Sequence, residues 1–109
     1  MGYIKLGEFE EIVLLTVGIL HGNAYGIAIK DEIETRLERE VSVGALQTTL
    51  RRLEKKGFLD SKRGDGNAQR GGRPKLYFTL NMKGKRALDS ARNAREQLWA
   101  ALPQYILKL

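Results

Sequence analysis

Apolar residues in the first half of the chain recur at intervals of three and four, the spacing of amphipathic helices. The first such stretch runs from Leu6 to Leu20, and Gly22 behind it is typical of a helix end. A second runs from about Tyr25 to Arg39. A third lies between Ser42, a favoured N-cap residue, and Gly57, a residue typical of helix ends. The pattern predicts three helices with inward-facing stripes Leu6, Phe9, Ile12, Val13, Thr16, Ile19 and Leu20; Ile29, Ile33 and Leu37; and Leu46, Leu50 and Leu53.

After Gly57 the apolar positions become short and alternating, which predicts two strands, one at Phe58 and Leu59 and one with Leu76, Phe78 and Leu80. Residues 62–73 between them include four glycines and predict a long, basic, flexible hairpin tip. Asn81 is a suitable N-cap for a last helix, although Gly84 weakens its first turn. Pro103 ends or kinks that helix and leaves the conformation of residues 103–109 open.

Three helices, a hairpin and a further helix are the element order of a winged helix-turn-helix. We therefore predict a mainly α chain with a small β-hairpin. Residues 1–81 are expected to form the DNA-binding domain, and residues 82–109 a C-terminal helical dimerisation segment, within one compact domain overall. A chain of 109 residues buries a limited core, so pairing with a second copy would add burial. The nearly heptad spacing of Leu88, Ala91, Leu98 and Leu102 also favours such a homodimer.

Charge is distributed unevenly along the chain. Residues 1–50 carry four Lys or Arg against eight Asp or Glu, whereas residues 51–86 carry twelve against three. A concentrated positive segment of this kind is typical of proteins that bind nucleic acid. A solvated basic face without a partner is the plain alternative. The coincidence of the charge with the third helix and the hairpin favours nucleic acid.

The composition argues against several other classes of protein. The chain has no cysteine and a single histidine, His21, which excludes disulfides and thiolate zinc sites and leaves little scope for metal or acid–base chemistry. The acidic residues of the first two helices are interpreted as solvated surface charge: Glu8, Glu10, Glu11, Glu32 and Glu34. The longest apolar run is too short to span a bilayer, and no secretory signal pattern begins the chain. We expect a cytoplasmic protein without enzymatic activity, metal, cofactor or membrane partner.

The third helix and the hairpin carry the candidate DNA contacts. At about 100° per residue, Gly44, Thr48 and Arg51 lie opposite the leucine stripe. Small residues at the beginning of such a helix permit close approach to the major groove. The loop lacks the Gly-Lys-[Ser/Thr] ending of a nucleotide-binding loop. The predicted major-groove residues are Ser42, Gln47, Thr48, Arg51 and Arg52, and the predicted wing residues, for phosphates or the minor groove, are Lys62, Arg63, Arg70, Arg73 and Lys75.

Four segments resemble a known family. Residues 44–57 (GALQTTLRRLEKKG) resemble the recognition helix of PadR-like transcriptional regulators, and residues 72–84 (GRPKLYFTLNMKG) resemble that family's second wing strand and the entry to its final helix. Residues 6–10 and 25–29 are similar to its first helix and to the start of its second. In one departure, Gln47 and Thr48 stand where the family usually has Tyr-Pro, which removes an aromatic contact to the DNA backbone. Gln47 is suited instead to an adenine edge.

The resemblance implies a cytoplasmic repressor that binds an inverted repeat as a homodimer, through its first and final helices. Members of the family often release DNA when they bind phenolic or other aromatic ligands. The expected partners are therefore double-stranded DNA, a second copy of the chain and an aromatic effector.

Aromatic residues near the C-terminus allow two interpretations. They either line a ligand cavity at the dimer interface or only pack between two subunits. The candidate interface or ligand-pocket residues are Phe9, Leu98, Trp99, Leu102 and Tyr105.

The alternative function is a winged-helix module that docks on protein or RNA without sequence-specific DNA binding. Such modules often lack a basic wing, so the positive segment argues against this hypothesis. Specific binding of duplex DNA distinguishes the two.

Overall fold

The computed structural model of the chain describes residues 6–64 and 75–109. This part of the chain contains, in order, α1 Glu8–Ile19, α2 Gly26–Leu37, α3 Val43–Lys55, β1 Leu59–Arg63, β2 Leu76–Leu80, α4 Met82–Ala100 and α5 Gln104–Leu107. Three helices followed by an antiparallel hairpin and a helix confirm the predicted winged helix-turn-helix.

The glycines and caps expected from the sequence end the elements where they should. Gly22 behind α1 and Gly57 behind α3 have φ of +86° and +84°, the left-handed region that glycine enters without steric cost. Ser42 caps α3, since its Oγ accepts a hydrogen bond from the Ala45 N–H at 3.2 Å. α2 ends differently, at the left-handed Glu38. Local sequence therefore sets most boundaries of the helix-turn-helix.

The core lies between α1, α2 and α3, and the hairpin closes one side of it. For two residues of the predicted stripes the expected burial is wrong, since Ile19 is 50% exposed and Leu37 is 49% exposed. Leu14 and Val17 are buried instead. In α1 the difference arises because the helix contacts α2, α3, β2 and α4. Its buried face is therefore wider than the apolar spacing predicts and is rotated about the helix axis. Leu37 is the last residue of α2, beyond the reach of the core.

The second strand lies where it was predicted, whereas the first begins one residue later than predicted and extends to Arg63. The register of the hairpin runs from the pair of Leu59 and Leu80 to the pair of Arg63 and Leu76. Phe58 precedes the strand and donates its N–H to the Leu53 carbonyl at 3.0 Å. Residues 62 and 63, predicted to lie in the flexible tip, therefore lie on a paired strand. Residues 65–73 of the predicted tip, with Arg70 and Arg73, lie outside the described residues.

Asn81 pins the beginning of α4, as its sequence position predicts. Its side-chain oxygen accepts from the Gly84 N–H at 2.9 Å, and its Nδ2 donates to the Gly57 carbonyl at 2.9 Å. Gly84 does more than weaken this turn. A Cβ there would collide with the Phe58 carbonyl and lie 2.8 Å from Leu80 Cδ1, so glycine allows helix and hairpin to touch.

The C-terminal part of the molecule projects from the core. The buried residues of α4 are Gly84, Leu88 and Ala91, all in its first half. Pro103 breaks the chain after α4 and is the N-cap residue of the short α5, which settles the open conformation of this segment. The molecule measures 61 × 31 × 21 Å. Within the described part of the chain, none of the helices is both long and apolar enough to cross a membrane.

Candidate nucleic-acid interface

α3 presents two chemically different faces. Leu46, Leu50 and Leu53 are buried as predicted, and Thr49 is buried with them. The predicted contacts Ser42, Gln47, Thr48, Arg51 and Arg52 are all exposed, together with Val43, Gly44 and Lys55. Sequence reasoning missed Val43, whose side chain is 58% exposed at the first position of the helix. The outward face is thus small and polar at its beginning and basic towards its end.

The turn before α3 is held by a carboxylate. Glu34 accepts a hydrogen bond from the Val41 N–H at 2.8 Å, and Lys30 Nζ lies 3.1 Å from its other oxygen. The Val41 N–H, followed by Lys30, lowers the pKa of Glu34. The interpretation of Glu34 as solvated charge is therefore wrong, because this side chain anchors the turn that leads into α3.

A second carboxylate holds the other end of α3. Glu10 of α1 is only 7% exposed, and Lys56, the C-cap residue of α3, donates to both of its oxygens at 3.0 and 2.8 Å. The Gly7 N–H donates to the same carboxylate at 2.8 Å. Burial alone would raise the pKa of Glu10, but the hydrogen bonds from Lys56 and Gly7 outweigh burial and lower it. The prediction of a solvated Glu10 is also wrong, since its partner lies 46 residues away.

Gln47 rests close to the beginning of α2. A Cβ on Gly26 would lie 3.2 Å from Gln47 Nε2, so the glycine leaves room for the amide. Gln47 is exposed, and its amide lies beside the beginning of α2.

The predicted wing residues within the described chain divide into two settings. Lys62 and Arg63 are exposed on β1. Lys75 is half-buried, with its Nζ 3.9 Å from the centre of the Tyr25 ring. Tyr25 in turn meets Tyr77 edge to face, with ring centres 5.6 Å apart. Sequence reasoning missed both tyrosines, although Tyr77 follows Lys75 by two positions, the spacing at which side chains of an extended chain point to the same side.

The C-terminal candidates do not form one cluster. Leu98, Trp99 and Tyr105 are 71%, 63% and 72% exposed, and Leu102 is half-buried. Phe9 packs against the core of its own chain, and the Arg39 guanidinium lies 5.5 Å from the centre of its ring.

A groove between α1 and α4 includes one of these residues. Its lining contains Leu15 from α1 and Leu88 and Trp99 from α4, and an Arg95–Glu11 ion pair bridges the two helices. Glu11 and Phe9 are two positions apart and so point to nearly opposite sides of α1. Of the aromatic candidates, the groove is therefore lined by Trp99 and not by Phe9. Within the residues that the structure describes, no group of three or more His, Asp or Glu could hold a metal ion.

Comparison with known proteins agrees with this geometry. The model of a family described as "Transcriptional regulator PadR-like family" matches residues 14–90, well over half of the chain. The protein belongs to this family. PadR-like proteins are DNA-binding transcriptional regulators and not enzymes, which confirms the expected class of function. No curated protein matches the sequence.

Solved structures of similar proteins, two of them named as PadR-family regulators, have the same fold. A PadR family transcription regulator from hypervirulent Clostridium difficile R20291 is 26% identical, with a TM-score of 0.63 over 87% of this chain and 97% of that chain. A padr family transcriptional regulator from Eggerthella lenta is 24% identical, with a TM-score of 0.67 over 85% and 80%. RosR of H. salinarum is 24% identical, with a TM-score of 0.70 over 95% and 86%. The last two likenesses concern the fold alone.

Proposed function

We propose that this PadR-like protein is a sequence-specific repressor that binds an inverted-repeat operator in double-stranded DNA as a cytoplasmic homodimer. The observation that carries the proposal is the two-faced α3. Its outward face is free for a DNA groove, while its inward face is packed in the core. A DNA-reading helix needs both properties, because base contacts require close and repeatable placement.

α3 would enter the major groove with its beginning facing the bases. Gln47 and Thr48 would read base edges, and Ser42 would contact the backbone beside them. Arg51 and Arg52 lie further along the helix, where their charge would neutralise phosphates. The contacts Glu34–Val41 and Glu10–Lys56 support this role because they hold the two ends of the helix.

The hairpin would act as the wing. Lys62 and Arg63 are exposed and would contact phosphates or the minor groove together with Lys75, Arg70 and Arg73. Strand pairing holds Lys62 and Arg63 on β1, and the Gly64 N–H donates to the Lys75 carbonyl at 2.7 Å, which supports a place for all three at the base of the wing.

The proposed homodimer would form through α1 and the end of α4. Leu15 and Ile19 on α1, and Leu98 and Trp99 on α4, are each about half exposed or more. The second half of α4 projects from the core, and a helix alone in water is marginal at this length. A second copy would cover these side chains. Residues 1–81 would then serve DNA binding and residues 82–109 dimerisation, with the first half of α4 anchored in the same compact unit.

An aromatic effector would bind in the groove between α1 and α4. Trp99 offers a flat apolar surface there, and Leu15 and Leu88 extend it. The groove lies between α1 and α4, the two helices expected to pair with a second copy. An occupant would therefore change the spacing of the two DNA-binding halves. Plain packing of Trp99 between subunits is the competing interpretation, and titration with aromatic compounds separates the two.

The experiment that tests the proposal measures binding to DNA duplexes selected from a random library. Fluorescence anisotropy at about 150 mM salt, with unrelated DNA as competitor, should show retained binding that saturates at two chains per duplex. Gln47→Ala should change the preferred sequence, whereas Arg63→Ala should weaken binding to all sequences similarly. Equal affinity for every duplex would contradict the proposal and favour a protein or RNA partner.

A further inference from the structure

A cleft between α2, α3 and the base of the hairpin contains the ammonium group of Lys75 beside an aromatic ring. The lining includes Tyr25, Ile27, Gln47, Lys75 and Leu76. Lys75 Nζ lies 3.9 Å from the centre of the Tyr25 ring, within the range of a cation–π contact. Among the described residues that line this cleft, none is acidic, so the cleft favours an anion.

The cleft is built by backbone contacts as well as by side chains. Tyr25 and Tyr77 form an isolated antiparallel bridge, and the Phe78 N–H donates to the Ala24 carbonyl at 2.8 Å. The Lys75 carbonyl accepts from the Gly64 N–H at 2.7 Å. A Cβ on Gly64 would come within 2.6 Å of the Tyr77 ring, so glycine lets the ring lie against the hairpin. Among the described residues, Lys75 is therefore positioned by the Tyr25 ring and by the Gly64 N–H.

Two apolar side chains in the lining of the same cleft are exposed and do not belong to the hydrophobic core. Ile27 is 67% exposed and Leu76 is 43% exposed. A charged ammonium with apolar surface close by matches a nucleotide backbone, which offers a phosphate and a deoxyribose within one unit. The amide of Gln47 lines the same cleft, so an occupant would lie directly beside the recognition helix.

We propose that this cleft is a preformed site for one sugar-phosphate unit of the DNA backbone. The Lys75 ammonium binds the phosphate, the Tyr25 ring positions that ammonium, and Ile27 and Leu76 contact the sugar. The proposal rests on the proposed DNA-binding function and deepens it, because it assigns Lys75, one of the proposed wing contacts, to a phosphate of its own that sets the register beside α3.

Salt dependence tests the phosphate contact on any duplex, whether or not the protein prefers a sequence. Lys75→Gln should reduce the slope of log K against log salt by about one unit. Lys108→Gln, at the far C-terminal end, should leave the slope unchanged. Tyr25→Phe keeps the ring and should keep the slope, whereas Tyr25→Leu should lower it. An unchanged slope for Lys75→Gln would overturn the proposal even if specific binding had been found.

Backbone substitution locates the contact on a selected duplex. Each phosphate in turn is replaced by a neutral methylphosphonate, and affinity is measured for the wild type and the variants. We expect one position in each half-site that costs the wild type about fivefold to tenfold and costs Lys75→Gln nothing. Lys62→Gln should remain sensitive at that position and lose sensitivity at another. If Lys75→Gln and Lys62→Gln lost their methylphosphonate sensitivity at the same phosphate, the proposal of a site separate from Lys62 would be overturned.

The two hypotheses fail in distinguishable ways. Duplexes that all bind equally, with a reduced slope for Lys75→Gln, would refute the sequence-specific repressor and retain the phosphate site. A strong sequence preference, with methylphosphonate sensitivity unaltered in Lys75→Gln, would do the opposite.

Discussion

At the residue scale, Gly84 shows how one missing side chain permits a junction between elements. It lies in the first turn of α4, where its backbone approaches the Phe58 carbonyl and the Leu80 side chain. Helix propensity alone would favour alanine at this position by about 1 kcal/mol. The close approach of α4 to the hairpin reverses that preference, because backbone atoms cannot move aside as the end of a side chain can.

Gly84→Ala should therefore lower the free energy of unfolding by about 1–3 kcal/mol, the typical cost of overpacking. Urea denaturation followed by circular dichroism measures this change. Gly18→Ala is the matched control in α1, where a Cβ would meet Leu80 Cδ2 at an ordinary 3.4 Å. It should raise stability by about 0.5–1 kcal/mol. Equal effects of the two substitutions would contradict the steric argument.

At the element scale, the contact between Glu10 and Lys56 joins the beginning of α1 to the end of α3. The carboxylate is nearly buried, whereas the side chain of Lys56 is 34% exposed. A carboxyl group whose pKa is lower in the folded than in the unfolded state adds stability above its unfolded pKa. That contribution disappears as the pH falls through the lower, folded pKa. The contact that fixes the orientation of α3 relative to α1 should therefore become weaker in acid.

Glu10→Gln should cost about 1–2 kcal/mol of stability at pH 7 because it removes the charge from these hydrogen bonds. The loss relative to the wild type should shrink as the pH is lowered below about 4.5, the ordinary value for this carboxyl. Denaturation at a series of pH values measures the difference. Glu8→Gln provides the control, since its side chain is 78% exposed and lies 3.7 Å from Arg39. A pH-independent difference for Glu10→Gln would show that its charge is not involved.

At the scale of the whole molecule, the described chain has a compact body and a projecting end. The 19-residue α4 is about 28 Å long, yet its buried residues all lie in its first half. Leu98 and Trp99 extend from the other half at 71% and 63% exposure. Self-association would bury these exposed side chains. In a twofold-symmetric dimer, a substitution in the interface is present in both subunits, so its effect on the dimer is doubled.

Leu98→Glu should weaken the proposed homodimer by roughly thirtyfold or more, since a charge would enter an apolar interface. Light scattering should find twice the chain mass of 12.3 kDa for the wild type and a monomer for the variant at low micromolar concentration. Ile27→Glu is the matched control, because Ile27 is 67% exposed but lies on α2 at the proposed DNA face. The emission of Trp99, the single tryptophan, should shift to shorter wavelength on association. A wild type that stays monomeric would refute the homodimer.

The sequence by itself determined what depends on near neighbours in the chain. Ser42 and Asn81 cap helices through residues three positions ahead, and Gly22 and Gly57 end them through their own backbone freedom. The outward face of α3 also followed from its period, because a helix turns by a constant angle and its leucines mark the core. These are local rules, and they were sufficient for the fold class and for the predicted recognition face.

Only the tertiary structure decided what depends on partners far apart in the chain. Glu10 and Glu34 look like ordinary surface acids until Lys56 and the Val41 N–H are brought beside them. Lys75 was expected only as a wing contact, yet its ammonium lies against the ring of Tyr25, fifty positions earlier in the chain. Residue type and period report which side chains tolerate burial. They do not report which side chain will lie opposite, because that is set by how whole elements pack.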